Sequence, residues 1–133
     1  MTRYAAAYAA TAIVMIALDL LWLGVIAKPL YQQGIGHLMA ARPNIGVAVL
    51  FYAVFALGIM VFAVAPYGPP SAWTQAALAG AMFGFFAYAT YDLTNLATLM
   101  NWPVGLSILD MAWGSLVSGV SAVAGKLVLD RLA

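Results

Sequence analysis

The stretch Tyr88-Ala89-Thr90-Tyr91-Asp92-Leu93-Thr94-Asn95 lies inside an otherwise apolar run from Trp73 to Met100. It sets a carboxylate among two phenols, two hydroxyls and an amide, in a segment long enough to form a lipid-embedded helix. A carboxylate at mid-span costs about 2.5–3.5 kcal/mol on insertion scales, so one placed here asks for partners inside a bundle. Two further apolar runs carry an aspartate of their own, Asp19 and Asp110.

Composition agrees with a membrane reading. Hydrophobic residues make up 66% of the 133 and charged residues only 7%, more apolar surface than a soluble domain of this size can cover. We therefore expect an all-α integral membrane protein, a single transmembrane domain over residues 1–133. A net charge of +1 with no basic run excludes a nucleic-acid partner, and the absence of cysteine excludes disulfides and thiolate metal sites. His37 is the sole histidine and cannot build the usual histidine-rich zinc site within one copy. No P-loop, GxGxxG or pair of intramembrane histidines occurs, so neither a cofactor nor a metal is expected.

Four spans follow, at about 4–27, 44–65, 73–100 and 104–125. Met1-Thr2-Arg3 ahead of an apolar run is also how a secretory signal begins, but the run from Tyr4 to Ala27 is too long for a signal core and suits a spanning helix. Lys28-Pro29 ends the first span. In the connection that follows, Leu30, Tyr31, Ile35, Leu38 and Met39 recur at helical spacing, which suits a short helix lying in the interface. Asn44 is placed to cap the second span, the Pro66–Ser71 cluster ends it, and Trp73 sits where an interfacial anchor belongs. Asn101-Trp102-Pro103 is so short that spans three and four form a tight antiparallel hairpin. Lys126, Asp130 and Arg131 read as a solvated tail. The result is a four-transmembrane-helix bundle, up-down-up-down.

Flanking charges number three on one side (Arg3, Lys126, Arg131) and two on the other (Lys28, Arg42), which puts both termini in the cytoplasm. Gly80/Gly84 in span three, and Gly114/Ser118, Ser115/Gly119 and Ser121/Gly125 in span four, let helix backbones approach. Packing within the bundle is the favoured use of these faces; a homodimer seam is the alternative.

Asp19 and Asp92 each lie eight residues before the end of their spans, and Asp110 lies six after the start of its own. In the alternating bundle all three carboxylates then sit about 9–12 Å below the same surface, that of the first and third connections. No lysine, arginine or histidine lies within a span to neutralise them. Helical spacing puts Tyr88 and Asn95 on the face of Asp92, Trp22 three residues beyond Asp19 and Trp113 three beyond Asp110, each a hydrogen-bond donor. The expected pocket is therefore Asp19, Trp22, Tyr88, Asp92, Asn95, Asp110 and Trp113, with Lys28, His37 and Arg42 above it as a gate. Interhelical glue is the bland alternative for any one aspartate.

Three motifs, Leu18-Asp19-Leu20-Leu21-Trp22-Leu23-Gly24, the run Phe86–Leu99 around Asp92, and Asp110-Met111-Ala112-Trp113-Gly114, resemble those of an uncharacterised membrane family, domain of unknown function 2177. The resemblance covers nearly the whole chain. It implies a small four-span protein of the bacterial inner membrane and brings no agreed activity.

Three functions stay open. A carboxylate-lined pocket at half depth suits a proton, a cation or a small cationic or lipid-like ligand, bound or transported. One protonated and one ionised aspartate would suit a cofactor-free enzyme doing acid–base chemistry on a lipid. Small-residue faces alone would suit a structural partner subunit of a membrane complex.

Overall fold

Prolines and the polar turns between the apolar runs divide the chain into helices, and the computed structural model, which describes residues 1–133, contains no strand. Helix α1 (Thr2–Leu21) widens into a π-helical turn over Trp22–Ile26. Helix α2 (Lys28–Ile35) takes Pro29 in its first turn, where the missing N–H has no partner to lose, and tightens into a 3₁₀ turn over Gly36–Leu38. Helix α3 (Ile45–Ile59) is capped by Asn44, whose Oδ1 accepts from the Val47 N–H at 3.1 Å, and runs on through turns at Met60–Val64 and Ala65–Tyr67. Helices α4 (Trp73–Thr98) and α5 (Val104–Leu132) are joined by a tight connection in which Asn101 adopts a φ of 60°, a left-handed conformation that asparagine tolerates well. The buried Trp102 indole closes that connection by donating to Ser107 Oγ at 2.9 Å.

Three helical stretches are long and apolar enough to cross a membrane: Thr2–Ile26, Ile45–Tyr67 and Val104–Leu132. Helix α4 has the length, 26 residues, but the polar stretch around Asp92 lowers its apolar content. Its outward threonines hide much of that polarity. Thr90 donates to the Phe86 carbonyl (2.7 Å), Thr94 to Thr90, and Thr98 to Thr94 (2.8 Å), so the hydroxyls are satisfied by their own helix.

Helices α1 and α4 pack against α5 in antiparallel register, and α3 runs parallel to it. Against α4, Gly80 lies opposite Ala122 and Ser118, Gly84 opposite Gly114 and Ser118, and Ser115 Oγ donates to the Ala81 carbonyl at 2.9 Å. A carbon added at Gly84 would collide with the Gly114 carbonyl and the Ser118 side chain, so only a bare α-carbon permits this approach. Against α1, Thr11 sits on Gly125 while Trp22 stacks on Trp113. Helix α3 closes the bundle with Phe55, whose ring meets Phe83 at 5.3 Å and Tyr88 at 6.0 Å. Met15, Ile59, Val64, Val117 and Leu129 fill the centre.

The first three long helical stretches end at Ile26, Tyr67 and Thr98, and the last runs on past Gly125. Helix α5 continues through Leu132, and Lys126 is wholly buried, with Nζ donating to both carboxylate oxygens of Asp130 at 2.8 and 2.9 Å. The solvated tail is thus corrected: the face of α5 that carries Ser121, Gly125 and Leu129 stays buried past the expected end and takes Lys126 in with it. A paired, buried lysine also leaves the flanking charges at two against two.

The α4–α5 seam can be tested by volume. Gly84→Val should lower the apparent melting temperature in mild detergent, at a cost of about 1–3 kcal/mol for overpacking. Gly24→Ala, where an added carbon meets nothing within 4 Å, should leave it unchanged. Equal melting temperatures for the two variants would contradict the seam.

Candidate functional site

Antiparallel register brings the acids to one end of the bundle. Asp19, Asp92 and Asp110 are 5%, 1% and 7% exposed. Asp19 is held across helices: Tyr52 Oη from α3 donates to its Oδ2 at 2.6 Å and Trp113 Nε1 from α5 to its Oδ1 at 3.0 Å. Asp110 is held from above, where Tyr31 Oη on α2 donates to its Oδ1 at 2.5 Å. Trp22 Nε1 in turn donates to Tyr31 Oη at 3.4 Å. The two indoles lie parallel, with centroids 4.5 Å apart and planes 6° apart. Each donates to a group on another helix, Trp22 to Tyr31 of α2 and Trp113 to Asp19 of α1.

Asp92 has a different environment. Its carboxyl is within hydrogen-bonding reach of Asp110, and its buried Oδ2 meets no donor. Two carboxyls can bond to each other only through a proton, since ionised carboxylates are acceptors alone. Ser118 Oγ is the other buried side-chain atom without a partner, a neutral hydroxyl whose desolvation costs far less than that of a carboxylate.

A cavity of about 530 Å³ opens beside this network, within the range that small-molecule sites occupy. Asp19 and Asp110 supply its carboxyls, and Tyr31, Tyr52, Tyr88 and Tyr91 its phenols. Phe51, Phe55 and Trp113 form apolar walls, and no lysine, arginine or histidine lines it. The Tyr88 ring seats directly on Gly114, so the seam between α4 and α5 also positions one wall. The acids do not form a metal cage: no group of three or more histidine, cysteine or acidic side chains is arranged to hold an ion.

Residues 4–127 match the family described as "Predicted membrane protein (DUF2177)". The chain belongs to DUF2177. No curated protein and no solved structure shows significant similarity to it. Membership and the apolar helices together make it a multi-pass membrane protein that sits in a lipid bilayer.

All seven expected pocket residues fall within the DUF2177 match. Asp19, Tyr88, Asp110 and Trp113 line the cavity, Trp22 stacks against its wall, and Asp92 stands behind Asp110. Asn95 does not line it, and its side chain makes no hydrogen bond there. Lys28, His37 and Arg42 are exposed and likewise lie outside its lining. Tyr31 and Tyr52 are the site residues missing from the expected set. Tyr52 was legible as the most polar side chain of an uncharged span; Tyr31 read only as one apolar member of an interfacial helix.

Burial pushes the Tyr31 phenol above its usual range, and the bond to Asp110 pushes it further, while the Trp22 N–H pulls the other way. A raised value keeps the donor: the bond contributes fully below about pH 10, where a free phenol begins to ionise, and is lost only as pH rises through the higher folded value. Tyr31→Phe should therefore leave tyrosinate absorbance at about pH 11 the same as wild type, while shifting tryptophan emission because Trp22 loses its acceptor. A lower tyrosinate signal in the variant would mean that Tyr31 ionises like a free phenol.

Proposed function

We propose that this DUF2177 protein is a four-span, up-down-up-down bundle that binds a small organic cation with an apolar body in the cavity beneath α2. The observation that carries the reading is the cavity's lining: two carboxyls and aromatic walls with no basic side chain. Such a lining attracts positive charge, and desolvated aromatic faces add up to about 2 kcal/mol of cation–π attraction. A neutral lipid tail would gain nothing from the carboxyls, and an anion would be repelled.

Helix α4 counts as the fourth span in this reading. At 1.5 Å per residue its 26 residues extend about 39 Å, more than a bilayer's hydrocarbon core of roughly 30 Å. It lies along α5 in antiparallel register, so it shares the depth of a helix apolar enough to cross. The cavity then lies in the membrane half adjoining α2 and the α4–α5 connection.

The absence of cysteine makes topology directly measurable. Single cysteines at His37 and Asn101 should react with an impermeant maleimide from one side of the membrane, and one at Ser71 from the other. Labelling of Asn101→Cys and Ser71→Cys from the same side would remove α4 as a span.

Binding is tested with phenyltrimethylammonium and its neutral isostere tert-butylbenzene, followed through tryptophan emission in lipid nanodiscs. The cation should bind saturably, and at least about tenfold more tightly than the isostere, a difference of about 1.4 kcal/mol. Asp19→Asn and Asp110→Asn should each weaken the cation and spare the isostere. Equal affinity for the two compounds would sink the proposal.

A further inference from the structure

We infer that the cavity exchanges its cation for a proton held between Asp92 and Asp110, so that binding one cation releases one proton. This rests on the cation-binding reading above and adds a coupled ion to it.

The geometry that carries the inference is an asymmetry among the three acids. Both oxygens of Asp19 accept from fixed donors, Tyr52 Oη and Trp113 Nε1, so this carboxylate is satisfied while ionised. Asp92 is only 1% exposed, and its Oδ2 has no donor at all. The titratable groups around it offer none. From α5 it faces Asp110, an acceptor like itself. From α2, Tyr31 spends its hydroxyl on Asp110. From α3, Tyr52 spends its own on Asp19 of α1. On α4 itself, Tyr88 and Tyr91 make no hydrogen bond to it, and the Tyr91 ring packs edge-on against Trp102 at 5.8 Å. No lysine, arginine or histidine lines the adjoining cavity. A proton between the two carboxyls is the one donor that satisfies Asp92, and it leaves the pair with a single negative charge.

Asp110 belongs to that pair and also lines the cavity; Asp92 stands behind it, out of reach of a ligand. A cation arriving beside Asp110 lowers the energy of the doubly ionised pair. The shared O–H bond then breaks and its proton leaves. Charge balances: a cation and a singly charged pair become a cation, a doubly charged pair and a free proton, and no bond in the ligand changes. Tyr31, partly exposed and bonded to Asp110, joins the pair to the α2 surface, where the proton can leave.

The test uses the full chain in nanodiscs with phenyltrimethylammonium as probe. In weak buffer with a pH indicator, saturating the protein should release close to one proton per bound cation. Affinity should rise toward tenfold per pH unit wherever the pair is protonated. In Asp92→Asn the amide donates to Asp110 without a proton to release, so affinity should become flat with pH. Infrared spectra of the unliganded protein should show the carbonyl band of a protonated carboxyl, lost on adding cation and missing in Asp92→Asn. Cation binding with no proton release and no pH dependence overturns the exchange and leaves the cation site standing. A protonated-carboxyl band that persists with no cation bound at any pH removes the cation site, and the exchange with it.

Discussion

Backbone contact between α4 and α5 is the constraint on which the rest of this bundle depends. Where Gly84 meets Gly114 and Ser118, no side chain separates the two helices, and the register is set by which residues are small enough to allow it. Two turns along α4 from Gly84 stands Asp92, and one turn along α5 from Gly114 stands Asp110. The seam therefore brings together two carboxyls that would repel if both were charged. Packing of small residues supplies the attraction that electrostatics withholds, as expected where lipid removes the hydrophobic drive between helices. The same seam seats Tyr88 on Gly114 and so fixes a wall of the cavity.

The polar residues divide by how they are satisfied. Asp19 and Asp110 accept from phenols and an indole on other helices, so their bonds tie α1, α2, α3 and α5 together at one end. The threonines of α4 turn inward onto their own backbone and tie nothing. Lys126 and Asp130 pair near the other end, within one helix. Only Asp92 is without a fixed donor, in the most buried of the acid positions.

Much of this was legible in the sequence because it rests on spacing and cost. Breaks at Pro29, the Pro66–Ser71 cluster and Pro103 mark helix ends whatever the tertiary context. The position of each aspartate relative to its helix end gives a depth, and depth survives errors of a residue or two. Partner choice was not legible. Helical spacing pairs Trp22 with Asp19 and Trp113 with Asp110, yet stacking of the two rings sends each donor elsewhere. Tyr31 was hidden because a tyrosine in an interfacial helix reads as an anchor, and only the fold of α2 over the bundle turns its hydroxyl toward Asp110. A lysine after an apolar run looks like an exit to water, but α5 continues as a helix through Leu132 and keeps Lys126 and Leu129 on its buried side.

The threonine ladder of α4 bears on how the chain enters a bilayer. Of the long helices, α4 alone falls short of the hydropathy of a spanning helix, yet its outward hydroxyls are turned onto their own carbonyls and its carboxyl is turned toward α5. Its carboxyl is concealed only in company. Joined to α5 by residues 99–103, it forms a helical hairpin that encloses Asp92 against its second arm. In the proposed four-span arrangement, entering the bilayer together is less costly for such a pair than threading α4 first and waiting for its partner, and the brevity of the Asn101 turn keeps that partner within reach from the outset.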